Sequence, residues 1–347
     1  MLWGCKRGKM DLAEIRQVAK EKLKGYCRVC PVCDGKVCAG EVPGMGGVGS
    51  GAGFRANLEA LARYRLNMRT IHAAQNPDTT LTIFGLPLKT PILAAPMTGT
   101  PYNMGGALTE REFIGAIISG SKLAGSLGFS GDGADPAMYD SGVEAITAES
   151  GWGVPIIKPR AQDAIVERIR RAEAAGAPAV GVDIDGAGLV TMALKGQPVG
   201  PKTLDELKAL ISETRLPFIL KGIMTVDEAE LAVEAGAAAI VVSNHGGRIL
   251  DHTPGVAEVL PEIVRAVGDR IVVLADGGVR SGIDALKLLA LGARAVLVGR
   301  PLVIGAFGGG AEGVKMILEQ MTAELRQAMI LTGCATLNEI GPGVLRP

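Results

Sequence analysis

From about Pro91 onward two apolar patterns alternate along the chain. Short runs of consecutive apolar residues give way to longer stretches whose apolar positions fall three and four apart among charged ones. The short runs are Pro91–Pro96, Leu123–Gly128, Pro155–Lys158, Ala179–Asp185, Pro217–Lys221, Ala239–Ser243, Ile271–Ala275 and Ala295–Gly299. Runs of this kind predict strands covered on both faces, as in a parallel sheet with helices packed over it. The longer stretches predict amphipathic helices, among them Ala161–Ala175, Thr225–Ala235 and Ser281–Ala290. Thr225 is a candidate N-cap with acids in the turn that follows. Eight strand–helix units in one α/β chain predict a closed (β/α)8 TIM barrel. An open doubly wound sheet is the alternative, but no early GxGxxG turn joins a first strand to a helix.

The segment before Pro91 follows neither pattern. Met10–Leu23 reads as one helix, Cys27–Cys38 as a cysteine-rich turn and Phe54–Asn67 as a second helix that packs on the barrel. Between them Gly40–Gly53 is nearly half glycine, which predicts a mobile loop or a backbone surface for close approach. The expected organisation is a helical, Cys- and Gly-rich cap over residues 1–79 and a barrel over 80–347.

Composition narrows the function classes. A chain of 347 residues suits one barrel with an extension, and 48% apolar residues supply a large core. Lys plus Arg equals Asp plus Glu, so no basic field gathers nucleic acid and no polybasic tail marks a membrane surface. The N-terminal stretch is charged and has no apolar core of a secretory signal. No stretch looks like the roughly 18 apolar residues of a membrane span. The expectation is a cytoplasmic protein without membrane insertion, whose six cysteines are reduced. Four of them, Cys27, Cys30, Cys33 and Cys38, form C-x2-C-x2-C-x4-C. Thiolates so close suit tetrahedral zinc or an iron–sulfur cluster, and the alternative is an unliganded turn.

In a (β/α)8 barrel the chemistry sits at the C-terminal ends of the strands. Strand four is expected to end in Asp185, strand five in Lys221 and strand six in Ser243-Asn244-His245-Gly246-Gly247-Arg248. Strand seven runs into Asp276-Gly277-Gly278-Val279-Arg280, and strand eight into Gly299-Arg300. The last two turns predict a phosphate site, with glycines for close backbone approach and Arg280 and Arg300 for charge. His245 is the one histidine of three at a strand end, where a neutral imidazole can take a proton. Arg248 can grip a carboxylate with its planar fork. Asp185 can orient His245 and stabilise its imidazolium. Lys221 can stabilise an anionic reduced flavin ring.

SNHGGRILD, with LKG before it and DGGVRSG and GRP after it, resembles the FMN-dependent 2-hydroxy acid oxidases and dehydrogenases, such as glycolate oxidase, lactate oxidase, flavocytochrome b2 and mandelate dehydrogenase. The resemblance runs from about Thr80 to Gly341 and includes PILAAPMT and the tail LRQAMILTGCATLNEI. It implies FMN on the barrel, oxidation of a 2-hydroxy acid to a 2-keto acid, and a homo-oligomer, in this family a tetramer. By the same resemblance His245 removes the substrate proton, Arg248 binds the carboxylate and Asp185 supports the histidine. Pro96, Met97 and Thr98 pass beneath the flavin ring, and Lys158, Asp183, Lys221 and Ser243 contact it. Asp276, Gly277, Gly278, Arg280, Gly299 and Arg300 hold the ribityl chain and phosphate.

Three departures stand out. The family's N-terminal active-site tyrosine corresponds to the glycine run 40–53. Its Gln and Tyr after strand three correspond to Lys158-Pro159-Arg160. Its arginine after strand four is missing from Gly186-Ala187-Gly188-Leu189. Either Lys158 or Arg160 is then a candidate substitute for carboxylate binding. Two other readings remain in view. One is another FMN barrel, such as type 2 isopentenyl diphosphate isomerase, which shares the DGGVR-like turn but lacks the His/Arg pair. The other is a non-catalytic flavin or metal redox protein that uses the cysteines.

Overall fold

The computed structural model of the chain describes residues 11–346. Eight parallel strands close into a barrel: β1 (Ile92–Met97), β2 (Gly128–Ser130), β3 (Val154–Ile157), β4 (Val180–Asp183), β5 (Phe218–Ile223), β6 (Ala239–Val242), β7 (Val272–Ala275) and β8 (Ala295–Val298). They follow chain order around the ring, and β8 returns to β1 through Val296↔Ile92. The continuous apolar runs conceal a period of two. Leu93, Phe129, Ile156, Ile219, Val241, Leu274 and Leu297 pack together inside the ring, joined by Leu81, Ile83 and Leu88 of a preceding hairpin. Ile92, Val182, Leu220, Ile240, Val242 and Val298 belong to the larger core shared with the helices. Both faces of each strand are therefore buried, which is why no polar alternation is visible in the sequence.

The helices sit where their caps dictate. Helix α1 (Leu12–Lys22) opens on a capping box between Asp11 and Glu14, and α3 (Glu110–Leu123) on one between Thr109 and Glu112. The other helices of nine residues or more are α2 (Ala52–Arg63), α4 (Pro136–Ala148), α5 (Gln162–Ala174), α6 (Leu204–Ser212), α7 (Val226–Ala235), α8 (Val256–Val267), α9 (Gly282–Ala290) and α10 (Arg300–Thr332), and single turns of helix lie at Thr100–Asn103 and Val190–Leu194. Thr225 stands at the N-cap of α7 without bonding through its side chain, whereas Ser281 caps α9 through a hydroxyl that accepts from Asp284 N–H.

Four expectations need correcting. The second strand is Gly128–Ser130, not Leu123–Gly128, because Leu123 still belongs to α3 and Gly125 (φ 70°) ends that helix. Strand four stops at Asp183, and Asp185 lies in a 3-10 turn, Ile184–Gly188. The second cap helix ends at Arg63, because Arg65–Leu66 is drawn into an antiparallel pair with Leu345–Arg346. Finally, α10 is long and apolar enough, by length and composition, to cross a membrane. Over half of that stretch is buried in the fold, and Gly310 (φ 59°, ψ −144°) interrupts the helix. The first cap helix matches expectation from Leu12 onward, and Met10 lies outside the described residues.

The glycine run is a close-approach surface. A Cβ on Gly247 would meet Phe54 N at 2.1 Å, and Val48 N–H donates to Gly247 O at 2.9 Å. The cap backbone thus rests directly on the loop after β6.

Candidate active site

The loop after β6 carries the sharpest local signal. His245 has φ 58°, and Gly246 and Gly247 follow at 64° and 76°. Left-handed backbone is uncommon for a side-chain-bearing residue, and histidine tolerates it better than branched residues do. The turn is held from both sides. His245 N–H donates to Ser243 Oγ at 3.0 Å, and Ser243 Oγ donates to Asp276 Oδ2 at 2.8 Å. Asn244 donates to Gly53 O, Thr253 Oγ1 and Pro254 O and accepts from Asn57 at 2.7 Å.

His245 Nδ1 lies 3.2 Å from both oxygens of Asp185. That leaves Nε2 as the free ring nitrogen of a side chain that lines the central cavity. Gly222 allows the contact, since a Cβ there would come within 2.6 Å of Asp185 Cβ. The β5–β6 register shifts between Lys221 and Ile223, around this glycine. Beside the histidine, Asp183 is bracketed by two buried ammonium groups. Lys158 Nζ is 2.5 Å from one oxygen and Lys221 Nζ 3.0 Å from the other. Burial works against the Asp183 charge, but His245, Lys158 and Lys221 outweigh it and hold the carboxyl well below its usual range. Asp185 moves the opposite way, raised by burial and then by the neighbouring charge of Asp183. Lys221 is buried, yet Asp183, Asp185 and Asp276 keep it protonated with its pKa raised. Asp183, Asp185 and His245 are close enough to suggest a metal trio. The two lysines already neutralise the carboxylate charge there.

The cavity spans about 1240 Å3 with its open mouth included. Pro96, Met97, Thr98, Lys158, Asp183, Lys221, His245, Arg248, Asp276, Gly277, Gly278, Arg280, Gly299 and Arg300 all line it. Ser243 is fully buried behind His245 and reaches the cavity through His245 N–H and Asp276. The loops after β7 and β8 form one end. Gly277 and Gly278 have φ 84° and 82°, a conformation that favours glycine. Arg300 starts α10. Its planar group stacks 3.9 Å from the centre of the Phe54 ring, with Arg280 5.5 Å from the same ring. Burial, then the charges of Arg280 and Arg248, pull Arg300 down to about 9. Guanidinium groups do not give up protons in proteins, so such crowding calls for an anion. Arg280 Nε and Asp276 Oδ1 are buried without a partner. Crowded cations, unpaired polar atoms and left-handed glycines at a helix N-terminus fit the phosphate and ribityl chain of FMN.

The opposite end departs from expectation. Arg160 donates to Asp132, Gly133 O and Gln197 and is not part of the cavity lining. Lys158 is likewise engaged with Asp183. Arg248 donates through Nη1 to Gly44 O and Gly46 O and through Nη2 to Asn103 Oδ1 at 3.0 Å. Burial pulls it down to about 10. Leu189, Met45, Met104, Met138 and Tyr102 make this part of the wall largely apolar. Sequence reasoning missed Phe54, Asn57, Asn103 and Asp132. Asn57 alone left a trace, as a polar residue on the buried stripe Phe54–Asn57–Leu61 of α2.

The sequence model of FMN-dependent dehydrogenases matches residues 44–193 and 191–347. The chain belongs to the FMN-dependent dehydrogenase family. Mouse (Mus musculus) 2-hydroxyacid oxidase 2 is 33% identical over 85% of this chain and 90% of its own length. The rat (Rattus norvegicus) protein of that name is 49% identical over 142 residues, 40% of its length. L-lactate oxidase of Lactobacillus jensenii is 30% identical over 83% of this chain and 76% of its own. Among solved structures, a mandelate oxidase with (S)-2-phenylpropionate superposes with a TM-score of 0.77 at 31% identity over 98% of both chains. This member of the family is an FMN-dependent oxidoreductase acting on CH–OH groups.

Proposed function

We propose that this chain oxidises a 2-hydroxy acid to the 2-keto acid, with His245 as base and Arg248 on the carboxylate. The observation that carries the reading is His245 Nδ1 held by Asp185 at 3.2 Å beside Lys221, on the wall of the FMN cavity. Bound FMN supplies the two-electron acceptor. His245 Nε2 takes the substrate proton, and Asp185 stabilises the imidazolium that results. Lys221 and Lys158 balance negative charge developing at the ring edge, and Asp183 fixes both ammonium groups. Pro96, Met97 and Thr98 would lie against the ring of bound FMN, while Asp276, Gly277, Gly278, Arg280, Gly299 and Arg300 would hold its ribityl phosphate. Ser243 acts from behind, through His245 N–H and Asp276. A substrate carboxylate displaces Asn103 from Arg248. The apolar wall favours a hydroxy acid with an apolar side chain.

The test is anaerobic bleaching of the flavin by a panel of 2-hydroxy acids, with isopentenyl diphosphate as a control. Bleaching by a hydroxy acid with an apolar side chain is expected, and bleaching by none of the acids overturns the reading. The same proposal includes a cap (1–79) on an FMN-binding barrel (80–347), a tetramer by family resemblance, and a cytoplasmic location. The relatives include a rice (Oryza sativa subsp. japonica) enzyme named as peroxisomal. Light scattering and fractionation test the last two.

A further inference from the structure

The four-cysteine turn is not absorbed by hydroxy acid oxidation, and its placement is specific. It folds against the flavin end of the molecule. A Cβ on Gly35, within the turn, would lie 2.3 Å from the ring of Phe54, the ring on which Arg300 stacks. A Cβ on Gly46 would lie 1.8 Å from Cys38 O, and Gly46 O accepts from both Arg248 and Arg300. The cysteine backbone is thus one residue removed from the arginines of the cavity.

The turn is also held in shape. Arg16 donates to Cys30 O at 2.8 Å, and Arg28 grips Glu41 with two bonds. Val29 has φ 47° and turns its N–H toward Cys27 Sγ at 3.4 Å. An amide aimed at a sulfur stabilises a thiolate and tunes the potential of a bound cluster. All four thiols are half-buried, and Cys27 packs against the main core.

We propose that Cys27, Cys30, Cys33 and Cys38 hold a [4Fe–4S] cluster docked on the flavin site, where it gives electrons a route out of the enzyme. Zinc fits less well. Thiolates around one tetrahedral zinc lie about 3.8 Å apart, from Zn–S bonds of about 2.3 Å. Among the described residues no three cysteine sulfurs lie within 4.8 Å of one another. A cubane carries its thiolates on four separate irons, further apart. The electron route rests on the proposed hydroxy acid reaction; the cluster does not. One substrate releases two electrons and two protons. The protons pass to solvent, and the electrons pass singly through the cluster to a one-electron carrier protein.

The experiment uses the full chain purified without oxygen. Iron and acid-labile sulfide near four each per chain, with a paramagnetic signal after dithionite reduction, are expected. Zinc near one per chain without iron, or four freely titrating thiols in the folded protein, overturns the proposal. Cys33→Ser and Cys38→Ser should lose the iron, and Cys334→Ala should keep it. Should those serine variants fail to fold, the metal content of the natural chain still decides. Rapid mixing with a substrate that bleaches the flavin should then reduce the cluster in the same turnover. A bleached flavin beside a cluster that stays oxidised overturns the electron route. Failure of every hydroxy acid to bleach the flavin overturns the proposed reaction and leaves the iron analysis intact.

Discussion

At the β7–β8 end of the cavity, the lining residues Arg280 and Asp276 carry buried atoms without a partner, Nε and Oδ1, whereas at the β3–β4 end the lining residues Lys158, Asp183 and Asp132 are paired with one another or with Arg160, and the unpartnered Arg168 Nε, 3.6 Å from Asp132, lies outside the lining. An unpaired buried polar atom costs roughly 1–3 kcal/mol, so one on a cavity wall is a place for a ligand to supply the partner. Charges that neutralise each other have no such need. The contrast separates a surface shaped for a ligand from one shaped to position its own side chains. With Lys158 and Arg160 paired internally, the proposed reaction relies on Arg248 and an apolar wall.

The comparison can be broken most decisively at the histidine between the two ends. His245→Ala should keep FMN and lose turnover by roughly 10²–10⁴-fold, the contribution of a positioned base. Stopped-flow flavin reduction measures it, and near-normal reduction would assign the base elsewhere. Next is the internally paired end. Lys158→Met breaks a buried pair and should destabilise the fold by about 3–5 kcal/mol in urea unfolding. Adding Asp183→Asn should recover part of that loss. Asp183 has a depressed folded-state pKa, so its contribution is complete above the unfolded value of about 3.9. It is lost as pH falls through the folded pKa, so the Lys158→Met deficit should shrink in acid.

At the ligand-facing end, Arg300→Met removes charged bonds worth about 1.5–3 kcal/mol each, which corresponds to roughly ten- to hundredfold weaker FMN binding. Titration of the apoprotein with FMN, followed by fluorescence quenching, reads this out. Thermal stability should fall as well, because Arg300 donates to three carbonyls of the cap and the β6 loop and stacks on Phe54, so the titration is run on the folded apoprotein. The smallest effect is expected of Arg248→Lys, which keeps the charge and loses the fork. Its kcat/KM should drop about tenfold with an unaltered flavin spectrum, in proportion to about 1.4 kcal/mol. An unchanged kcat/KM would mean that the carboxylate binds elsewhere.

Much of this was legible from the chain. The apolar runs located all eight strands, seven of them close to their limits, because strands buried on both faces have no alternation to misread. The strand-end motifs brought His245, Lys221, Asp276, Arg280 and Arg300 to one cavity. Asp185 was found but assigned to the strand, because nothing in VGVDID marks where extension gives way to the 3-10 turn. The partners were harder. Asn57 bonds Asn244 across 187 positions, and Arg248 reaches Asn103 across 145, with no local pattern to announce either. The engagement of Arg160 was hidden for the same reason. Asp132 is an unremarkable acid in a loop until the fold buries it beside two arginines.

The pairing of Arg65–Leu66 with Leu345–Arg346, and of Phe54 with Arg300, has a consequence for how the protein matures. On the ribosome, residue 54 emerges long before residue 300, so the cap waits for most of the barrel to be made before its aromatic ring has a partner. Arg300 and its stacking surface Phe54 meet only near the end of synthesis. A nascent chain stalled before β8 should therefore carry no flavin, and loading belongs to the finished barrel.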